Sequence, residues 1–244
     1  MFFGKEFNKN AAAKRLHKAV RNNDIKAVKK LLQDGGDVNA TDREGNTPLH
    51  TAASSGYAAM VELLLDNNAD VHARNNMGST ALHMTAFARD TVTANILLDH
   101  DAHVEAKNND GYTPLILAGL NDVKEMTQLF VDRGADVNAH NKDGDTALML
   151  AAACGYVDNM KILLDNAAQV DHRNNKGETA LMYAARPGQT GAARLLLNRK
   201  ANVHAQNNAG QTLWWYATQS QRPDIQIAIA DAMKKKAPKN NGPQ

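Results

Sequence analysis

Two kinds of apolar run alternate along this chain. One is short and rich in alanine; the other is spaced like the buried face of a helix. Ala147-Leu148-Met149-Leu150-Ala151-Ala152-Ala153 is followed, after Gly155, by Val157, Met160, Ile162, Leu163 and Leu164. The first run predicts a helix whose small side chains admit a close neighbour. The second has the recurrence of an amphipathic helix. Ahead of both, Asp143-Gly144 is a turn dipeptide that tolerates positive φ. Thr146 stands at the N-cap, where its hydroxyl accepts from an unpaired helical N–H. Gly155 ends the first helix, and Ala168-Gln169-Val170-Asp171 returns the chain towards another turn.

The same unit recurs every 33 residues. Gly45, Gly78, Gly111, Gly144, Gly177 and Gly210 are each followed two residues later by Thr47, Thr80, Thr113, Thr146, Thr179 and Thr212. Each is preceded by three by an Asx residue, from Asp42 and Asn75 to Asn207. A fixed period of this length marks stacked repeats, no one of which buries its apolar face alone. Thr47-Pro48-Leu49-His50-Thr51-Ala52 resembles the ankyrin repeat motif. The resemblance covers roughly residues 12 to 236. It implies an all-α, elongated solenoid of helix-turn-helix units with short β-hairpin fingers, about seven units including two terminal caps. Residues 12–44 form the N-terminal cap unit. Full repeats occupy 45–77, 78–110, 111–143, 144–176 and 177–209, and 210–236 is the C-terminal cap. Residues 1–11 are read as a tail, and the Pro- and Asn-rich 237–244 as a disordered one.

Departures from the repeat predict where the stack is soft. Arg89 replaces a glycine found at Gly56, Gly155 and Gly188, and β-branched Thr91, Val92 and Thr93 enter the next helix. Gly119 stands where first helices otherwise carry alanine, as at Ala53 and Ala152. Ala167 and Lys200 lack the helix-ending glycine of Gly134, so a left-handed conformation there is strained. Trp214 and Trp215 replace Leu and His or Met, and are read as a lid on the last core face.

Charge is divided along the chain. Residues 1–30 carry +7, residues 31–232 carry −9, and 233–244 add +4. Basic ends suit solvated caps, and the acidic middle argues against a nucleic-acid groove. Cys154, the single cysteine, makes no internal disulfide and fits a reducing compartment. Met1-Phe2-Phe3-Gly4-Lys5-Glu6 reaches charge too early for a signal core, and no run is long enough to span a bilayer. The expectation is a cytoplasmic monomer without integral membrane contact, with a removed secretion signal left open.

Candidate chemistry is sparse. His50 and His83 are the motif histidines, which tie turn to helix. His100 and His103 are three apart but lack a third ligand in sequence. No phosphate loop, His-Glu-x-x-His or Gly-x-Ser-x-Gly motif occurs. The reading is of a non-enzyme with no catalytic residue, cofactor or metal.

The resemblance implies instead another folded protein as partner, held along a concave face of finger tips and first helices. At positions the repeat leaves free to vary, Met77, Phe87, Tyr112 and Leu120 are large and apolar where other units carry mostly small or polar residues. Arg74 and Lys107 flank them, and His140, Lys142, Arg173 and Arg186 continue the surface. Ser54, Ser55 and Glu178 belong to the same surface, where changes should cost little. An enzyme blocked or positioned there is the leading reading. The alternative is a structural scaffold or membrane-peripheral tether using the basic termini. Phe2, Phe3 and Phe7 either close the first unit or act as a hook.

Overall fold

The computed structural model describes residues 3–235, with side-chain surroundings from 11 to 234. Contacts gather these into two compact units, Met1–Ala118 with Gln128–Ala135, and Gly119–Thr127 with Asp136–Gln244. The first holds α1 (Phe3–Arg21), α2 (Ile25–Gln33), α3 (Pro48–Ser54), α4 (Ala58–Asp66), α5 (Ala81–Ala88), α6 (Thr91–Asp99) and α7 (Pro114–Ala118). α8 (Lys124–Asp132) draws on both chain segments. The second holds α9 (Ala147–Cys154), α10 (Val157–Asp165), α11 (Ala180–Ala185), α12 (Thr190–Asn198), α13 (Leu213–Gln219) and α14 (Pro223–Lys235).

Within each unit the helices form two rows. In the first, α1, α3, α5 and α7 pack side by side, backed by α2, α4 and α6. In the second, α9, α11 and α13 are backed by α10, α12 and α14. The alanines make this possible: Ala52, Ala53 and Ala86 in one unit, and Ala151, Ala152, Ala184 and Ala185 in the other, are fully buried. Leu49, Leu82, Leu148 and Leu181 fill the space between neighbours, each burial worth about 1.5–3 kcal/mol. Most of the capping threonines behave as the repeat predicts, Thr179 alone among those of α3, α9, α11 and α13 making no side-chain cap bond. Thr47 accepts from the His50 N–H, Thr146 from Met149 and Thr212 from Trp215.

The fingers are shallower than hairpins. Each is a turn closed by one backbone pair, such as Asn141 N–H to Asp145 O (3.1 Å) and Gly144 N–H to Asn141 O (3.0 Å). Among the described residues the β content is two isolated bridges, His140 with Thr146 and Gln206 with Thr212. The Asx side chain does the rest: Asn141 Oδ1 accepts from the N–H groups of Asp143 and Asp145.

α1 begins at Phe3, inside the stretch read as a tail. The side chains of Phe2, Phe3 and Phe7, and all of 237–244, lie outside the described set. Gly119 does not sit within a helix; α7 stops at Ala118 after five residues, so the helical cost of glycine does not apply there. Arg89, Ala167 and Lys200 are left-handed, with φ of 58°, 66° and 66°. The β-branched entry to α6 is offset by Asp90, whose carboxylate accepts from the Val92 N–H and the Thr93 hydroxyl.

Candidate functional site

Successive fingers within a unit are joined by the second residue of each Asn-Asn pair. Asn76 N–H donates to Glu44 O (3.0 Å) and its Nδ2 to Arg43 O (3.1 Å). Asn109 does the same to Met77 O (2.9 Å) and Asn76 O (2.9 Å). In the second unit Asn175 donates to Asp143 O and Lys142 O, and Asn208 to Lys176 O and Asn175 O. The backbones of these tips are thereby committed, while the residue before each finger glycine, Glu44, Met77, Asp110, Asp143 and Lys176 among them, is exposed.

Below the tips the two units use different polar ties. In the first, histidine links each helix to the next finger: His50 Nε2 meets Ser79 O (2.9 Å) and His83 Nε2 meets Tyr112 O (3.0 Å). A carbonyl only accepts, so Nε2 carries the proton. Nδ1 of His83 accepts from the Thr80 N–H at 3.1 Å. Burial lowers both pKa values, His83 to about 4, against the raising effect of these carbonyl bonds.

The second unit has Met149, Met182 and Trp215 at that position and uses tyrosine instead. Tyr183 donates to Asp145 Oδ1 at 2.8 Å, and Tyr216 to Glu178 Oε1 at 2.6 Å. Asn174 donates to Asp145, and Arg186 pairs with Glu178 while lying 5.0 Å from the centre of the Tyr216 ring. Burial pushes the Glu178 carboxyl up, but the Tyr216 and Asn174 hydrogen bonds and the Arg186 charge outweigh it and hold it low. Glu178, read as a surface position, is 3% exposed. Asp145 is buried as well. Arg186, read as a partner contact, is committed to neutralising a buried carboxylate. The signal was in the sequence: each acid just after a finger glycine is matched by a tyrosine 38 residues on.

The other predicted contacts are distributed as follows. Of the apolar ones, Met77 and Phe87 are the most open, 61% and 56% exposed against 39% for Leu120. Tyr112 is half-buried, with its carbonyl and N–H engaged by His83 and Asn108. Arg74 and Lys107 are exposed and linked, Arg74 Nη2 donating to Lys107 O at 2.6 Å. Leu120 falls in the second unit and is exposed, as are His140, Lys142 and Arg173. His140 stacks at 6.1 Å on His172.

The remaining features lie elsewhere. His103 stacks on His72 at 4.1 Å. Among the described residues no group of three His, Cys, Asp or Glu is placed to hold a metal, and no helix is long and apolar enough to cross a membrane. Cys154 is half-buried, which pushes its thiol pKa up. A groove of about 380 Å³ lies between α12 and α14, lined by Arg194, Leu197 and Ile227 among others, where Ile227 replaces residues such as Glu62 and Lys161 in the repeat.

A family model for ankyrin repeats, in three copies, matches residues 16–108, 93–174 and 167–239. The chain belongs to the ankyrin repeat family. Its structure is similar to the crystal structure of the ankyrin repeat domain of Bcl-3, described as a unique member of the IkappaB protein family. The TM-score is 0.75 and the identity 28%, over 90% of this chain and 97% of that one. No curated protein matches the chain. Ankyrin repeats are protein-binding modules, and the committed finger backbones with variable side chains are how this one can present such a surface.

Proposed function

We propose that this ankyrin repeat protein is a cytoplasmic, monomeric and non-catalytic module that binds a folded protein through finger tips and first-helix ends. The partner in this reading is an enzyme, held or blocked there. The observation that carries it is the pair Met77 and Phe87. Both are large, apolar and mostly exposed, at positions where the repeat elsewhere places Glu44 or Asp110, and Ser54 or Ala153. Met77 supplies the fold with its backbone only, accepting from the Asn109 N–H and donating to Asn75 Oδ1. Apolar anchors that share the fingers and first helices with exposed Arg74 and Lys107 have the composition of an interface centre.

The test is affinity purification on the full chain, followed by measured binding of the recovered partner. Phe87→Ala or Met77→Ala should weaken binding by about 1–4 kcal/mol, and Ser54→Ala should not. Equal affinity for all three variants, each shown to be folded, defeats the reading.

A further inference from the structure

We infer that the docking surface of the partner is acidic and offers a recess for a large apolar side chain. This rests on the protein-binding reading above and names the chemistry of the partner. The first unit is electrically divided between its two rows. Its first helices and fingers (residues 12–21, 41–55, 74–89 and 107–118) carry eight Lys or Arg against three Asp or Glu. Its second helices and return loops (22–40, 56–73, 90–106 and 128–135) carry four against eleven.

The division holds group by group. Lys18, Arg21, Arg43 and Arg74 are all exposed and form no ion pair among the described residues. Of the three acids on that row, Asp42 is already used: its Oδ1 accepts from the N–H groups of Glu44 and Asn46. On the other row, Asp99 pairs with Arg133, and Asp90 caps α6.

Phe87 and Met77 therefore stand on the positive row, and the opposite row repels what the positive one attracts. Such a field steers an acidic surface to one face and suppresses the reverse approach. Apolar anchors then hold what the charge has brought. Duplex nucleic acid shares the charge but has no apolar recess for Phe87, and an anionic bilayer shares the charge and takes an aromatic side chain into its interface, so both are separated from an acidic protein surface by experiment.

The experiment selects displayed random peptides on the immobilised full-length chain, at about 50 mM and about 500 mM salt. Parallel selections use Lys18→Glu/Arg21→Glu/Arg43→Glu and Phe87→Ala. Unfolding midpoints equal to the parent show that the variants are intact; the side chains are exposed, so they should be. The expected result is enrichment of acidic peptides carrying Phe, Leu or Trp. Affinity should fall at least tenfold in Phe87→Ala, in the charge-reversed variant and at high salt. Peptides that depend on Phe87 but are neutral or basic overturn the acidic assignment and leave the binding face standing. Enrichment indifferent to Phe87 defeats the binding face itself. Binding of the same strength to a random-sequence DNA duplex or to phosphatidylserine vesicles, whether or not it weakens in Phe87→Ala, makes the surface a general polyanion or membrane surface and overturns the inference. A selection with no enrichment overturns it too.

Discussion

The Tyr216 hydroxyl reaches back 38 residues to the buried carboxylate of Glu178, at 2.6 Å, and accepts in turn from Asn207 Nδ2 at 2.8 Å. A buried carboxylate is tolerable only when its lone pairs are filled. Tyr216→Phe removes one strong donor without changing shape and should destabilise by about 1.5–3 kcal/mol. The sign with pH follows from the lowered pKa of Glu178. Its contribution is present above the carboxyl's ordinary value of 4.5 and lost as pH falls through the lower folded value. The gap between parent and Tyr216→Phe should therefore be wide at neutral pH and narrow in acid. Urea unfolding at both pH values checks this, and a gap independent of pH refutes it.

His83 makes the first unit acid-sensitive in a higher range. Its Nδ1 accepts from the Thr80 N–H, so a proton there meets a donor already in place. Burial lowers the folded pKa to about 4, from 6.5. The unfolded chain thus binds the proton first. Stability from this group is complete above pH 6.5 and falls on acidification by about 1.4 kcal/mol per pH unit until about 4. His83→Gln should be less stable at pH 7.5 yet show a flatter decline between pH 6.5 and 5. An unchanged slope would assign the acid sensitivity to other groups.

The repeat itself was legible because its signals are local: a glycine for positive φ, an Asx residue for the turn, a threonine for the cap. Glu178 was not, because the position after each finger glycine holds Asn46, Ser79, Tyr112, Asp145, Glu178 and Gln211. Polarity there does not reveal burial; only the tyrosine of the following repeat does. The tie from Arg186 to Glu178 was hidden for the same reason, since the acid lies eight residues back at the other end of α11. The exposure of Met77 and Phe87 was legible, because both break a polar or small column. Gly119 was placed by analogy with alanines, and the chain answers by ending the helix one residue earlier.

Ala167 offers a test of backbone strain free of side-chain packing. It is exposed and left-handed, with φ of 66°, after α10; Gly134 has φ of 83° in the same role after α8. An L-residue in this conformation costs about 1–2 kcal/mol, part of which glycine returns as unfolded-state entropy. Ala167→Gly should raise stability by about 0.5–1 kcal/mol. A denaturant midpoint that rises with an unchanged m-value is the expected outcome; a fall shows that the strain is relieved elsewhere.

Asn175 and Gly144 are coupled through the finger ladder, and a double-mutant cycle can measure it. Asn175 Nδ2 donates to Lys142 O at 2.7 Å and its N–H to Asp143 O at 2.9 Å. Gly144 has φ of 82° at the closest point of that approach, and a Cβ there would stand 2.8 Å from the Asn175 nitrogen. Asn175→Ala removes the side-chain rung alone and should cost about 0.5–1.5 kcal/mol. Gly144→Ala adds left-handed strain to the clash and should cost more, about 2 kcal/mol or above. Once the added methyl has pushed the finger tips apart, the rung is already weakened, so deleting it should cost less. The double variant should therefore be more stable than the two single costs predict, by at least about 0.5 kcal/mol. Strict additivity would mean that the asparagine rung and the glycine approach are independent, and that the fingers are held in register by the helices alone.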